Sequence, residues 1–300
     1  MSGAMGRAPV TRRVRAYFAP VNRMTGVPTL FDAAASGGFA VEAPPAPWVD
    51  LGWCRGFARR CGTKVVAMRA GAPAIARSQV RTEIEASVAV EFESWGKLPL
   101  ALAAGSQQMN LLWGGLAVGV GVGSTATALH VGVDAAAGFV VGDLLAVDVD
   151  YLGQVGFVGS GVSGAYVGAA LSDVEYVRRV SLNVGRVVGI AAGVLQLAGP
   201  LIAGDPVVGM KVSRVAGFVD REGGSFFQEW SGLFVTEGEQ GDRVIYHYPR
   251  LQAMQGAAEV MELLAGPLER VRLAGAFRAL PVKDAVDGET VVCFRSYLVA

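Results

Sequence analysis

Histidine and cysteine are scarce in this chain of 300 residues: His130 and His247 are the two histidines, and Cys54, Cys61 and Cys293 the three cysteines. An odd, widely spaced cysteine set excludes a disulfide framework, and no C-x-x-C or H-x-x-x-H spacing gathers four ligands for structural zinc. Reduced thiols fit folding in a cytoplasm. Net charge is absent as well, because 26 Lys and Arg balance 26 Asp and Glu. A chain that coats nucleic acid by neutralising phosphates needs a strong positive excess, so that class is excluded. Arg7, Arg12, Arg13 and Arg15 are not followed by an apolar run, and no secretory signal is expected. The longest stretch without Asp, Glu, Lys or Arg, residues 98–133, is interrupted by Ser106, Gln107, Gln108 and Asn110 and then by Gly-Val alternation. No membrane insertion is expected from it.

Catalytic signatures are missing too. Gly161-Val162-Ser163-Gly164-Ala165 lacks the last glycine of a nucleophile elbow. Gly119-Val120-Gly121-Val122-Gly123-Ser124-Thr125 has the look of a dinucleotide loop, but the residues after it favour a strand over the helix that would hold a pyrophosphate, so it reads as a glycine-rich turn or hairpin. No Gly-Lys-Ser/Thr phosphate loop occurs. His130 and His247 sit in strand-like runs and read as packed or surface residues, not as general bases. The expectation is a protein without catalysis, cofactor or metal.

What is present is apolar and glycine-rich: 52% hydrophobic residues, 17% charged and 41 glycines set between short Val, Ile, Leu and Phe runs. That composition predicts a mainly β chain, with strands in 116–122, 127–133, 139–141, 144–151, 174–188, 193–197, 207–219, 226–235, 243–248, 269–280 and 290–298. Two helices are predicted, over 98–112 behind Pro99 and over 257–264. The organisation read from this is an extended N-terminal arm (1–48), a first β half with its helix (49–135) and a second β region with its helix (136–300). The succession strands, helix, strands, helix, strands leaves open one module duplicated in tandem.

Charge is unevenly placed. Residues 1–81 hold twelve Lys and Arg against Asp32, Glu42 and Asp50, and the remainder is acidic. In a monomer this is an accident of solvated surface; in a self-assembling protein it supplies attraction between one copy's arm and the next copy's body. The arm's candidate contact residues are Arg12, Arg13, Arg15, Phe18, Phe31 and Trp48, with Pro44, Pro45 and Pro47 denying regular pairing. The clearest alternation runs over 80–92, where Val80, Thr82, Ile84, Ala86, Val88, Val90 and Phe92 point one way and Glu83, Glu85, Glu91 and Glu93 the other. Neighbours on one strand face lie about 7 Å apart and run parallel, so these carboxylates do not converge on an ion. They make an acidic strand face, either plain surface or, in a closed ring, the wall of a lumen.

Several segments resemble the tail tube proteins of long-tailed bacteriophages, the major tail protein family. They are Ala19-Pro20-Val21; Thr25-Gly26-Val27-Pro28-Thr29-Leu30-Phe31-Asp32; Ala43-Pro44-Pro45-Ala46-Pro47-Trp48-Val49-Asp50-Leu51-Gly52-Trp53; Phe57 and Arg59; Trp95-Gly96-Lys97-Leu98; Gly105-Ser106-Gln107-Gln108-Met109-Asn110; and Arg243-Val244-Ile245-Tyr246-His247-Tyr248-Pro249-Arg250-Leu251. The resemblance implies a β-sandwich or barrel module flanked by a helix, with loops and an arm reaching neighbouring copies. It also implies hexameric rings, or trimeric rings of pseudo-six-fold symmetry, stacked into a tube that passes DNA to the host. A tape measure protein and a tail terminator would be partners, and the virion tail, assembled in the host cytoplasm, the location. The alternatives are another virion component (tail terminator or head decoration) or a β-rich hydrolase or lyase using Glu83, Glu85, Glu91 and Glu93.

Overall fold

The computed structural model describes residues 13–21, 27–45, 47–105, 107–149, 184–201, 204–221, 229–238, 241–254, 258–263 and 269–299. In chain order the elements are β1 (Val14–Pro20), α1 (Ala33–Ser36), β2 (Val49–Ala70), β3 (Ile75–Phe92), α2 (Lys97–Ala104), β4 (Gln107–Gly119), β5 (Ala128–His130), α3 (Val133–Ala136), β6 (Leu144–Val149), β7 (Val184–Ala191), β8 (Val194–Leu197), β9 (Met210–Arg221), β10 (Glu229–Glu237), β11 (Arg243–Ala253), β12 (Ala258–Leu263), β13 (Glu269–Ala279), β14 (Val282–Lys283), β15 (Thr290–Val291) and β16 (Phe294–Leu298). The chain is mainly β, as its composition predicts, and the paired strands are antiparallel.

Two compact units divide the chain, and the division differs from the one expected. One unit takes Met1–Phe18, Pro28–Trp95 and Glu229–Ala300, and the other Ala19–Val27 and Gly96–Gln228. The second unit therefore interrupts the first between β3 and β10, and the expected break at 135/136 falls inside α3. The strand orders also differ: β12-β13-β3-β2-β1-β10-β11-β16 in the first unit and β4-β9-β6-β7-β8-β5 in the second. Among the described residues one module is not seen twice in succession.

In the first unit, β11 pairs with β13 through Leu251↔Ala279, Gln252↔Arg278 and Ala253↔Phe277. This closes β13-β3-β2-β1-β10-β11 into a six-stranded barrel, with β12 and β16 attached at its sides. Closure leaves those six strands without a free edge where they pair. The barrel core is aromatic. Phe18 lies 5.9 Å from Phe234 and 5.5 Å from Phe277 between ring centroids, and Phe57 and Tyr248 also meet Phe234. Val88, Val90 and Phe92 fill the same interior from β3.

Of the expected arm, the described residues 13–18 belong to this unit, and 14–18 lie in its sheet. β1 lies between β2 and β10, and Val14, Ala16, Tyr17, Phe18 and Ala19 are all buried. Successive residues point to opposite faces of a strand, so both faces of β1 are covered. Phe18 enters the barrel, while Tyr17 meets Phe39 edge-on at 5.3 Å and donates its hydroxyl to the Val41 carbonyl at 2.8 Å. Residues 28–45 and 47–48 form a strap over that second face. Arg15 ties it down through Asp50 at 2.5 Å and Glu42 at 2.9 Å, with its guanidinium over Trp53. The hydrogen bond to Asp50 raises the Arg15 pKa. Arg243 donates to the carbonyls of Gly37 and Phe39. Trp48 is buried against Phe31 and His247. Of the six residues expected to serve an inter-subunit arm, Arg15, Phe18, Phe31 and Trp48 contact their own unit, Arg13 is exposed, and Arg12 lies outside the described residues.

His247 secures the strap from the barrel side. It stacks on Phe294, meets Trp48 edge-on, and its Nε2 lies 3.3 Å from the Thr29 carbonyl, while Thr29 N–H donates to Ser231. Burial lowers its pKa from 6.5 to about 4. The unfolded chain thus binds a proton on His247 in the window where the folded chain refuses it. Stability falls as pH drops from 6.5 through about 4, by about 3 kcal/mol from this group. Urea unfolding across that range will show it, and His247→Gln will flatten that part of the profile.

The expected helices are corrected in both places. α2 covers Lys97–Ala104 and stops at Gly105, whose φ of +64° is the left-handed geometry that ends helices. From Gln107 the chain is β4, hydrogen-bonded to β9, and not the continuation of a helix over 98–112. The predicted helix over 257–264 is instead β12, paired to β13 with Val260↔Arg272, Met261↔Val271 and Glu262↔Arg270. Residues 139–141 lie outside the strands, in the turn before β6, and the predicted strand over 174–188 is described only as β7.

The second unit has a core of Val120, Leu129, Phe139, Leu145, Val147, Val187, Leu195, Met210 and Val212. Its glycine-rich loop at 121–128 is a turn: Gly121 N–H donates to the His130 carbonyl, and Thr125 bridges Ala128.

Candidate assembly surface

β2 and β3 are 22 and 18 residues long, more than the barrel wall uses. Beyond the pair Cys61↔Ala86 they continue as a two-stranded ribbon to the pair Ala70↔Ile75. At the rise of a β-strand the ribbon extends about 30 Å. Its burial changes sharply at the point of departure. On β3, Ala86, Val88, Val90 and Phe92 are buried, whereas Ile75–Glu85 is exposed throughout. Val80, Thr82 and Ile84, which the alternation assigned to a buried face, are therefore uncovered.

The ribbon register sorts its side chains. Val66↔Val80, Met68↔Ser78 and Ala70↔Ile75 share one face, and Val65↔Arg81, Ala67↔Gln79 and Arg69↔Ala76 share the other, with Arg77 in a bulge. The first face is apolar, and Val66, Met68, Ile75 and Val80 on it are each about half exposed, at 54%, 57%, 54% and 47%. Residues 65–82 carry Arg69, Arg77 and Arg81 and no carboxylate.

The four expected acidic residues do not form a bare acidic stripe. Glu83 pairs with Lys64 at 2.5 Å across the ribbon base, Glu93 with Arg55 at 2.5 Å, and Glu91 with Arg272 at 3.1 Å. Glu85 is exposed opposite Gly62. On the barrel wall Arg55, Arg270 and Arg272 interleave with Glu91, Glu93 and Glu262 around a shallow cleft lined also by Phe92 and Val271. The Arg270 hydrogen bond lowers the Glu262 pKa. Around Glu91 and Glu93 the charges are matched, because β2 and β13, the two neighbours of β3, supply Arg55 and Arg272, whereas farther along the same face the exposed Arg60 and Arg278 flank Ser87.

At the inner end of the ribbon, Arg59 donates to the Tyr248 hydroxyl at 3.1 Å and lies over Tyr246. Burial raises the Tyr248 pKa to about 12 and that of Cys54 to about 12. Neither group is poised for proton transfer or nucleophilic attack at neutral pH. Among the described residues no group of three or more His, Cys, Asp or Glu is arranged to hold a metal ion, and no helix is long and apolar enough to cross a membrane.

Sequence reasoning missed the ribbon tip. The available signal was Gly71 and Pro73 midway between two strand-like runs of matching length, which is hairpin punctuation. Neither a scan against protein-family models nor a search of curated proteins matches this chain.

Proposed function

We propose that the chain is a structural virion protein that self-associates into rings, stacked as the hollow tail tube of a bacteriophage through which DNA passes. The observation that carries this reading is the amphipathic ribbon. An isolated two-stranded hairpin is marginal in water, and one with an uncovered apolar face gains stability when another surface covers that face. The closed barrel supplies a rigid base, and the sequence segments that resemble tail tube proteins supply the class.

Electron microscopy of the purified chain at high concentration tests this. Hollow filaments with six-fold or three-fold averaged symmetry are expected. Single closed rings that never stack would favour a tail terminator or head decoration protein, and a monomer at every concentration, with its ribbon open to proteases, would overturn the reading.

A further inference from the structure

We propose that Arg60, Ser87 and Arg278 form a binding site for a phosphate group on the outer face of the barrel. The site is read from the barrel alone and stands whether or not the chain assembles. Three adjacent strands bring these residues into one row: Ser87 on β3 has Arg60 of β2 as its register partner on one side and Arg278 of β13 on the other. Gln252 of β11 extends the row beyond Arg278. Ala86 and Val88 point into the barrel, so Ser87 between them faces outward together with its partners. Arg60 and Arg278 are exposed, and neither guanidinium has a hydrogen-bond or ion-pair partner among the described residues.

Elsewhere on this wall the cations are answered. Arg55 meets Glu93, Arg272 meets Glu91, Arg270 meets Glu262 and Arg250 meets Glu229. In the Ser87 row the position between the two arginines carries a hydroxyl, which adds a donor and no charge. Adjacent strands lie about 4.8 Å apart, so each guanidinium spans one strand spacing to meet the other above the serine. The neighbouring row is Ala58, Ala89 and Ala276, whose methyl groups leave that side open to a ligand. Arginine forks match phosphate oxygens in pairs, and a phosphate group has oxygens on several sides, so it is contacted from both flanks and from the hydroxyl beneath, as a flat carboxylate is not. Glu85, exposed two residues along the same face and about 7 Å away, is the carboxylate that competes for the arginines. One such row per copy gives a single salt-sensitive contact, in keeping with a chain of zero net charge that does not coat nucleic acid.

Two probes test the site in the full chain and separate the sources of the phosphate. One is a short labelled oligothymidylate followed by fluorescence anisotropy through a salt series; the other is inorganic phosphate, read as a rise in the unfolding midpoint over chloride at equal ionic strength. Arg60→Gln/Arg278→Gln should weaken binding by at least about tenfold and lower the slope of log affinity against log salt by about 1 to 2, with circular dichroism unchanged. Ser87→Ala should weaken it about threefold, and Glu85→Gln should strengthen it about twofold. Arg77→Gln/Arg81→Gln removes the same charge from the ribbon and should leave binding within about twofold of wild type. Binding of the oligonucleotide assigns the site to a phosphodiester backbone, and a response to inorganic phosphate alone assigns it to the free ion; both uphold the site. If wild type responds to neither probe, if the Arg60/Arg278 variant binds as wild type does, or if the ribbon variant weakens binding equally, the row is not a phosphate site. A chain that binds and never forms tubes keeps this site and overturns the tube reading alone.

Discussion

A chain in which residues 62–85 are replaced by Asn-Gly will fold and will not assemble. Cys61 and Ala86 are register partners on adjacent antiparallel strands, so two residues in a type I′ turn join them with the twist that the strands require. The deletion removes no residue of the barrel core, because Ile75–Glu85 is exposed and the buried positions of β3 begin at Ala86. Stability should change by no more than about 1 kcal/mol, as for other changes confined to exposed surface. Self-association, in contrast, should be abolished, since the excised segment holds the exposed apolar face and Arg69, Arg77 and Arg81. Denaturant unfolding and sedimentation velocity read the two effects separately. A deleted chain that still forms tubes would remove the ribbon from the assembly contact, and one that fails to fold would make the ribbon part of the barrel's own structure.

The same segment shows how far the sequence can be read. The alternation from 80 to 92 reports extended backbone correctly, and strict period two holds from Glu83 to Phe92; a bulge at Thr82, between the pairs Lys64↔Glu83 and Val65↔Arg81, breaks it beyond that point. It does not report cover. Val80, Thr82 and Ile84 continue the pattern of Val88, Val90 and Phe92, yet the barrel ends near Ala86. Whether a regular apolar face is buried depends on partners distant in sequence. β1 shows the opposite limit: residues 12–18 can be read as one short strand, but the prolines and glycines after it make it look like part of an extended arm, and nothing local says that both of its faces are covered. Its partners β2 and β10 lie on either side of the inserted unit in the chain, which local pattern cannot reveal.

Short helices fail for a related reason. Six residues of β12 fit a helical stripe and a strand about equally, and the cross-strand partners Arg270 and Arg272 on β13 decide between them by pairing with Glu262. The acidic face was legible as residue types and not as a field. Glu83, Glu91 and Glu93 are where the alternation puts them, but Lys64, Arg55 and Arg272 come from adjacent strands, and a single-strand reading counts none of them.

Phe18→Ala is expected to cost about 3–5 kcal/mol of folding stability, the range for truncating a large aromatic in a packed core. The side chain is fully buried, with Phe234 and Phe277 as ring neighbours on β10 and β13. β1 enters the barrel between β2 and β10, so the cavity left behind is walled by strands that closure prevents from collapsing inward. Phe18→Leu keeps much of the volume and should cost less than about 1.5 kcal/mol. The measurement belongs in the ribbon-deleted chain, where assembly adds nothing to the unfolding midpoint. There the core and arm readings of this residue separate. A core phenylalanine lowers the midpoint of the isolated chain by the full amount, whereas an arm residue used only between copies leaves it unchanged. An unchanged midpoint would return residues 14–20 to an extended arm and reopen the barrel between β2 and β10.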